Sequence, residues 1–275
     1  MMGVLNCTPD SFSDGQTFSA GSPDVMGLVL KAKTMVKQGA DIIDVGGEST
    51  RPHAQPVSTE EELNRVIPVI QALTKDGIKV SVDTMKAKVM EAAIAAGASM
   101  VNDVTALQFD AESESVVAVA GVDVCLMHMQ GTPQTMQDKP EYQDVLSEVL
   151  RFFEQRIEAC FKAGVSASSI LLDPGIGFGK RLEDNLTLIA NLDILKKTFA
   201  MPILLGTSRK SFLGQVTGAD VLNREVETAV SSAIGIYCGA DMIRIHDCAL
   251  QRKTTLLASA LADYNLNAKE AVVCS

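Results

Sequence analysis

Four polar residues, each at the end of a short apolar run or just after one, have the chemistry to read the edge of a flat nitrogen heterocycle. They are Asp83, Asn102, Asp173 and Lys210. A carboxylate accepts two hydrogen bonds side by side, which suits an N–C–N edge, while asparagine adds a donor and an acceptor and lysine adds donors. Together they predict a site for an aminopyrimidinone ring. Each of them alone is also explained as a strand-end residue that caps the next helix.

A second group of residues predicts a clamp for an anion. Arg244 and His246 alternate along one predicted strand, so their side chains face the same way. With Arg51 they form a candidate clamp for a diphosphate or a carboxylate, because the guanidinium fork matches those oxygens. The alternative is an ordinary ion pair of Arg244 with Asp241 or Asp247.

The glycine-rich segment DPGIGFGK at 173–180 resembles two phosphate-binding motifs but matches neither. A P-loop requires GxxxxGK followed by serine or threonine, and Arg181 stands in that position here. A dinucleotide fingerprint requires GxGxxG, and GIGFG is one residue short. We interpret the glycines as a tight backbone turn beneath a flat ligand held by Asp173.

Other polar positions receive more general interpretations. Lys210 and Ser211 open a predicted helix, whose free backbone N–H groups would attract an anion. His128, at the end of the fifth apolar run, is predicted to pack or to position a loop. Asp44 and Glu48 are predicted to organise the glycine turn between them.

The composition excludes several classes of protein. The net charge of −10 argues against a general nucleic-acid or anionic-membrane binder. No apolar stretch approaches the roughly 18 residues of a membrane span, and no secretory signal is predicted. The six cysteines and three histidines show no zinc-binding spacing, so free thiols in a reducing cytosol are expected.

Eight apolar runs end in polar or glycine clusters, and these runs must position the residues above. Most are followed by a stretch long enough for a helix, for example about 141–163 after the fifth run and about 183–197 after the sixth. Strand, polar loop and helix, repeated eight times, predict an α/β protein with a single (β/α)₈ TIM-barrel domain over residues 1–275. Its post-strand loops would converge on one mouth. The last helix is predicted to end near 264, with 265–275 as a frayed tail.

Eight short motifs lie in a fixed order along the chain. They are NCTPDSFSDG at 6–15, GGESTRP at 46–52, VDT at 82–84, ND at 102–103, LMHM at 126–129, LDPGIGFGK at 172–180, SRKS at 208–211 and RIHD at 244–247. In this order they resemble the dihydropteroate synthases over essentially the whole chain. Members of that family usually carry a short N-terminal extension that plugs the barrel floor, and two readings of its absence here are open: an exposed bottom of the core, or a clipped start of the sequence.

The resemblance implies a TIM-barrel transferase of folate synthesis. It would condense 6-hydroxymethyl-7,8-dihydropterin diphosphate with p-aminobenzoate, giving 7,8-dihydropteroate and pyrophosphate. The implied residues are Asp83, Asn102, Asp173 and Lys210 for the pterin, Asn6 for Mg²⁺, Arg51, Arg244 and His246 for the diphosphate, and Thr50, Pro52 and Ser211 for p-aminobenzoate. Asp14, on the first loop, is our candidate to stabilise a cationic carbon at the reacting centre. A cytoplasmic homodimer and sensitivity to sulfonamides are also implied.

Two alternatives remain at this stage. The pterin-binding module of a methyltetrahydrofolate–corrinoid methyltransferase shares the pterin carboxylates, but it has no need of the STRP loop, the SRKS turn or the RIH clamp. A catalytically inactive ligand-binding or scaffold protein would not need an intact diphosphate clamp. All of these motifs are present in this chain.

Overall fold

A computed structural model describes residues 1–8, 24–50 and 54–273, with side chains through residue 264. Strands and helices alternate along the described chain. The strands are β1 (Met2–Asn6), β2 (Ile42–Gly46), β3 (Val80–Asp83), β4 (Met100–Asp103), β5 (Asp123–Met127), β6 (Ile170–Asp173), β7 (Leu204–Leu205) and β8 (Met242–Ile245). The α-helices are α1 (Val25–Lys37), α2 (Thr59–Lys75), α3 (Ala87–Ala95), α4 (Ser113–Ala120), α5 (Val145–Ala163), α6 (Leu182–Ala190), α7 (Leu192–Phe199), α8 (Ser211–Thr217), α9 (Glu225–Tyr237) and α10 (Cys248–Val273).

All strand pairs are parallel, and the strands form one sheet in the order β6-β5-β4-β3-β2-β1-β8-β7. The two ends of this sheet meet through a single parallel bridge between Leu172 and Ile203. Beside it, the Leu172 N–H donates to the carbonyl oxygen of Pro202 at 2.9 Å. The sheet is therefore closed into a barrel with helices around it, and the predicted (β/α)₈ fold is confirmed.

Side chains alternate between the inside of the barrel and the helices. Gly3 faces the helices, because a Cβ atom there would meet the side chains of Met35 and Cys248. The residues on either side of Gly3 consequently point inward. The apolar floor of the interior is formed by Met2, Ile42, Met100, Cys125, Leu171 and Leu204, each at most 8% exposed. The floor is buried, so the expected exposure of the core bottom is wrong.

Three helix boundaries differ from the predicted ones. The helix expected over about 183–197 is two helices, α6 and α7, which meet at Asn191. The Asn191 side chain donates to the carbonyl oxygen of Thr187 at 2.7 Å, so it competes with the helical backbone bonds. At its N-terminus α5 begins after Asp144, whose carboxylate caps it. α10 runs to Val273, beyond the predicted end near 264, and no glycine or proline interrupts that stretch.

The described residues also bear on the state of the cysteines and on membrane-spanning helices. Five of the six cysteines lie in these ranges, and all five are free thiols. Among the helices that are described, none is long and apolar enough to cross a membrane.

Candidate active site

Inward-facing side chains at the carboxyl ends of the strands form a polar layer above the apolar floor. In the register, Asn6 lies beside Gly46, Gly46 beside Asp83, and Asp83 beside Asn102. On the next two strands, Met127 of β5 lies beside Asp173 of β6. The mouth therefore gathers residues that are far apart in sequence.

Arg244 is the centre of a hydrogen-bonded network in this layer. Its Nε donates to Asp44 Oδ2 at 2.7 Å, and its Nη2 donates to Asp83 Oδ2 at 2.6 Å. Asp44 Oδ2 also accepts from Asn102 Nδ2 at 3.0 Å. The alternative pairing of Arg244 with Asp241 or Asp247 is wrong.

Asp44 has a different role from the one predicted for it. It is fully buried and binds Arg244 and Asn102, so it belongs to the mouth and does not merely organise the glycine turn. The signal was present in the sequence. Asp44 has the same parity along β2 as Ile42 and Gly46, and strand alternation therefore directs it inward.

The electrostatics of this network follow from burial and mutual attraction. Burial is the main reason why the pKa of Asp83 is raised to about 7, and the neighbouring charge of Asp44 raises it further, while Arg244 opposes both. Burial would lower the pKa of Arg244, but the Asp44 and Asp83 carboxylates outweigh it and raise that pKa above its usual range. One permanently charged guanidinium therefore holds together the buried carboxylate of Asp44 and the partly buried carboxylate of Asp83.

Asp173 and Lys210 form the other side of the polar layer. Asp173 Oδ1 accepts from the Gly175 N–H at 2.7 Å. Lys210 Nζ lies 3.9 Å from the centroid of the Phe178 ring, in cation–π geometry. Burial lowers the pKa of Lys210 to about 8, although the Asp173 charge opposes the shift. Burial likewise raises the pKa of Asp173, and the surrounding cations counteract it.

His246, the next inward residue after Arg244, is oriented by a serine that the sequence analysis left without a role. The His246 backbone N–H donates to Ser208 Oγ at 3.3 Å, and Ser208 Oγ also lies 2.9 Å from His246 Nδ1. The Ser208 hydroxyl can donate to Nδ1 or accept from an Nδ1–H, so this contact fixes the orientation of the His246 ring and fits either tautomer. Ser208 was visible only as part of the SRKS motif.

The loop after β2 is fastened at its base. Glu48 Oε1 accepts from the Val57 N–H at 3.1 Å. Glu48 Oε2 also pairs with Lys86 Nζ at 2.5 Å, and Lys86 Nζ pairs with Glu62 Oε2 at 2.5 Å. Thr50 lies in this loop and is partly buried, and Ser211 is exposed at the start of α8. Asp14, Arg51 and Pro52 lie outside the described residues.

We predict that Lys86→Met lowers the free energy of unfolding by about 3–5 kcal/mol, because it leaves the fully buried Glu62 without a counterion. Lys33→Met is the matched control, since its pair with Asp76 is exposed, and it should change stability by less than about 1 kcal/mol. Urea unfolding of both variants measures the difference. Equal effects would show that the buried pair contributes no more than a surface pair.

A cavity of about 560 Å³ opens beside the polar layer. Val104, Met127 and Phe152 line it, and Met127 is the strand neighbour of Asp173. The lining is mostly apolar, with Glu48 and Lys86 among the few charged groups. A volume of this size is typical of small-molecule sites. The mouth therefore combines polar groups that read a ring edge with apolar space for a ring face.

Comparison with known proteins gives the same result at every level. Residues 2–246 match the family described as pterin binding enzyme. The dihydropteroate synthase of Escherichia coli (strain K12) is 44% identical over 271 residues, covering 98% of this chain and 93% of that protein.

Solved structures agree. A Yersinia pestis dihydropteroate synthase in a sulfonamide drug complex has a TM-score of 0.89 and 41% identity, covering 95% of this chain and 94% of that one. A Xanthomonas albilineans dihydropteroate synthase in complex with 7,8-dihydropteroate has a TM-score of 0.84 and 40% identity, covering 94% and 92%. From the family match and the near-complete alignment with its relatives, this chain belongs to the pterin-binding enzymes and, within them, to the dihydropteroate synthases.

Proposed function

We propose that this chain condenses 6-hydroxymethyl-7,8-dihydropterin diphosphate with p-aminobenzoate to give 7,8-dihydropteroate and pyrophosphate. The observation that carries the proposal is the joined network of Arg244, Asp44, Asp83 and Asn102, which stands at the same mouth as Asp173 and Lys210. The product complex of the Xanthomonas albilineans relative supports it.

Recognition of the pterin is proposed to use the polar layer. Asp173 keeps one carboxylate oxygen on the Gly175 N–H, so its other oxygen is available to the ring edge. Asp83 and Asn102 supply further acceptors and donors, and Lys210 donates to ring oxygen or nitrogen. The apolar cavity beside Met127 would receive the ring face.

Departure of pyrophosphate is proposed to depend on charge neutralisation. Arg244, His246 and Arg51 would bind the diphosphate, and their side-chain N–H groups would donate to its oxygens. The C–O bond to the diphosphate breaks, and the methylene carbon becomes cationic. Electron release from the bound ring spreads that charge, and Asp14 is proposed to stabilise it.

The amine of p-aminobenzoate then forms the new C–N bond and loses its proton to solvent or to the departing pyrophosphate. Thr50, Pro52 and Ser211 are proposed to form the subsite for this substrate. Sulfonamides would compete there, as the sulfonamide complex of the Yersinia pestis relative suggests. Closure of the long loops would keep water from replacing the amine.

Asn6 is the proposed protein ligand for Mg²⁺. Its amide oxygen faces the space next to Gly46, which Asp83 Oδ2 also borders. In the described ranges no group of three or more histidine, cysteine or acidic side chains could hold a metal. A single hard oxygen ligand fits Mg²⁺, which usually keeps several waters and binds substrate phosphates. When bound, the ion would neutralise charge on the diphosphate.

We predict that the protein releases one pyrophosphate per dihydropteroate, only when both substrates are present, and that EDTA abolishes and Mg²⁺ restores this turnover. A coupled pyrophosphate assay, with chromatography of the pterin product, measures both quantities. Methyl transfer to a corrinoid without pyrophosphate would favour the methyltransferase reading. Binding of the pterin without either reaction would favour an inactive binding protein.

We also propose that the chain acts as a cytoplasmic homodimer through α9 and α10. One face of α9 exposes Val226, Val230 and Ile234, and α10 exposes Leu257 and Leu261 beside it. Exposed apolar surface of this extent is typical of an interface. Light scattering is expected to give twice the chain mass of 29.3 kDa, and Ile234→Lys is expected to give the single mass. A wild-type monomer at micromolar concentration would contradict the assembly.

A further inference from the structure

Lys180, a buried lysine to which neither the sequence motifs nor the proposed chemistry gives a role, joins two loops of the mouth. It is 4% exposed. Its Nζ lies 2.9 Å from His128 Nδ1, and it donates to the His128 carbonyl oxygen at 3.2 Å and to the Phe178 carbonyl oxygen at 3.1 Å. Burial lowers the pKa of Lys180 to about 7, although the Asp173 charge opposes the shift. In the charged form, the three ammonium hydrogens match these three acceptors. No carboxylate among the described residues forms an ion pair with it.

His128 is a fixed acceptor in this arrangement. When Lys180 is charged it can only donate to Nδ1, and the proton of the neutral His128 ring then lies on Nε2. Burial and the Lys180 charge lower the pKa of His128 to about 2, so the ring stays neutral at any physiological pH. The ring also packs edge-on against Phe152, with centroids 4.8 Å apart. Its position is therefore set on two sides.

The turn between β6 and α6 is pressed against the loop after β5. A Cβ atom at Gly175, where φ is +69°, would lie 1.9 Å from the His128 carbonyl oxygen. A Cβ atom at Gly179 would lie 2.5 Å from the Gln130 carbonyl oxygen. Tyr142 adds a hydrogen bond from its hydroxyl to the Gly179 carbonyl oxygen at 2.7 Å. The backbone of the turn is thus in contact with that of the loop after β5, and the buried Lys180 links the two segments by hydrogen bonds.

Two groups beside the proposed pterin site, the Asp173 carboxylate and the Phe178 ring, depend on the position of the turn at 174–179. The Gly175 N–H holds Asp173 Oδ1 at 2.7 Å, and Phe178 carries the ring that faces Lys210. Phe178 is also the residue whose carbonyl oxygen Lys180 binds. A shift of the turn would therefore move a carboxylate and an aromatic face together.

We propose that Lys180 is a positioning residue of the pterin subsite, which uses His128 as its acceptor to lock the turn at 174–179 against the loop after β5. The inference rests on the proposed function and deepens it. Lys180 touches neither Asp173 nor the Phe178 ring through a hydrogen bond, yet it sets the geometry of both. Its loss is expected to weaken the pterin much more than p-aminobenzoate.

The test compares Lys180→Met, His128→Phe and the double variant. Calorimetry with 6-hydroxymethyl-7,8-dihydropterin is expected to show Kd raised about 10- to 100-fold in each single variant. Because both substitutions remove the same contact, the double variant should bind the pterin no more weakly than the single variant that has the higher Kd. The KM for p-aminobenzoate, at saturating pterin diphosphate, should stay within about twofold.

A spectroscopic readout separates positioning from a general loss of structure. The chain has three histidines, so nitrogen-15 signals of the rings are assignable. In Lys180→Met, the His128 Nδ1 signal should lose the signature of a hydrogen-bonded acceptor, while that of His246 stays unchanged. Circular dichroism and thermal unfolding report the fold, and Lys180→Gln replaces Lys180→Met if the latter does not fold.

Three outcomes would overturn the proposal. They are an unchanged pterin Kd in a folded Lys180 variant, additive losses in the double variant, and an equal rise in both substrate constants. The pterin measurement does not depend on turnover. A wild-type protein that releases no pyrophosphate, but whose pterin affinity falls in the Lys180 variant, would overturn the proposed reaction and leave the positioning role standing.

Discussion

Arg244→Ala is expected to lower kcat/KM by about 10³-fold and to weaken the binding of both the pterin and the diphosphate, because the same side chain supports both parts of the site. Its guanidinium holds Asp44 and Asp83 together, and the variant would leave the buried Asp44 and the partly buried Asp83 facing each other without this counterion. It would also remove a fork that stabilises charge on the leaving group.

Steady-state kinetics and calorimetry with free pterin and with the pterin diphosphate measure these losses separately. Arg252→Ala is the matched control, because Arg252 lies at the opposite end of the barrel beside Met1 and Asp41. It should leave kcat/KM within about twofold. If Arg244→Ala weakened only the diphosphate, the two carboxylates would not depend on the guanidinium, and the network would have no part in ring recognition.

Asp173→Asn is expected to weaken the pterin about 100-fold, because hydrogen bonds to a charged group contribute roughly 1.5–3 kcal/mol and the amide cannot accept two donors side by side. The substitution keeps the size of the side chain and one acceptor for the Gly175 N–H, so the turn itself should survive. Calorimetry with free pterin gives the affinity.

Asp103→Asn is the control for this carboxylate. Asp103 is equally buried at a strand end, but it accepts from the Thr105 N–H and hydroxyl and from the Leu107 N–H, within its own loop. Its loss should lower the thermal unfolding midpoint and leave the pterin Kd within about twofold. A large loss of affinity in both variants would mean that any buried carboxylate near the mouth supports the ring indirectly.

The sequence predicts the barrel well because strand ends are marked by abrupt changes from apolar to polar residues. It also predicts that Asp83, Asn102, Asp173 and Arg244 share a mouth, because all post-strand loops of this fold meet there. What the motifs could not supply is the partner of each group. The sequence offers Asp241 and Asp247 as nearby partners of Arg244, but its ion pair is with Asp44, a residue 200 positions away; its predicted contact with a substrate anion stays a prediction.

The long-range partner of a side chain cannot be read from the sequence, because strand alternation gives the face toward which the side chain points and not the distant group that it meets there. Ser208 and Lys180 are examples. Ser208 orients His246 from the neighbouring strand end, and Lys180 crosses from one loop to another. The break at Asn191 was missed for a related reason, since a side chain that bonds to its own helix is equally compatible with an unbroken one.

The closure of the barrel has a consequence for how the two halves of the mouth are held. β7 is only two residues long, and one bridge joins β6 to this side of the barrel, from Leu172 to Ile203, the residue before β7. Asp173 follows directly on one side of this seam, and Ser208 and Lys210 come soon after the other side. A flat ligand that binds Asp173 and Lys210 at once would link the two sides of the barrel where the fewest backbone hydrogen bonds join them. Bound substrate would then hold these two sides of the mouth together.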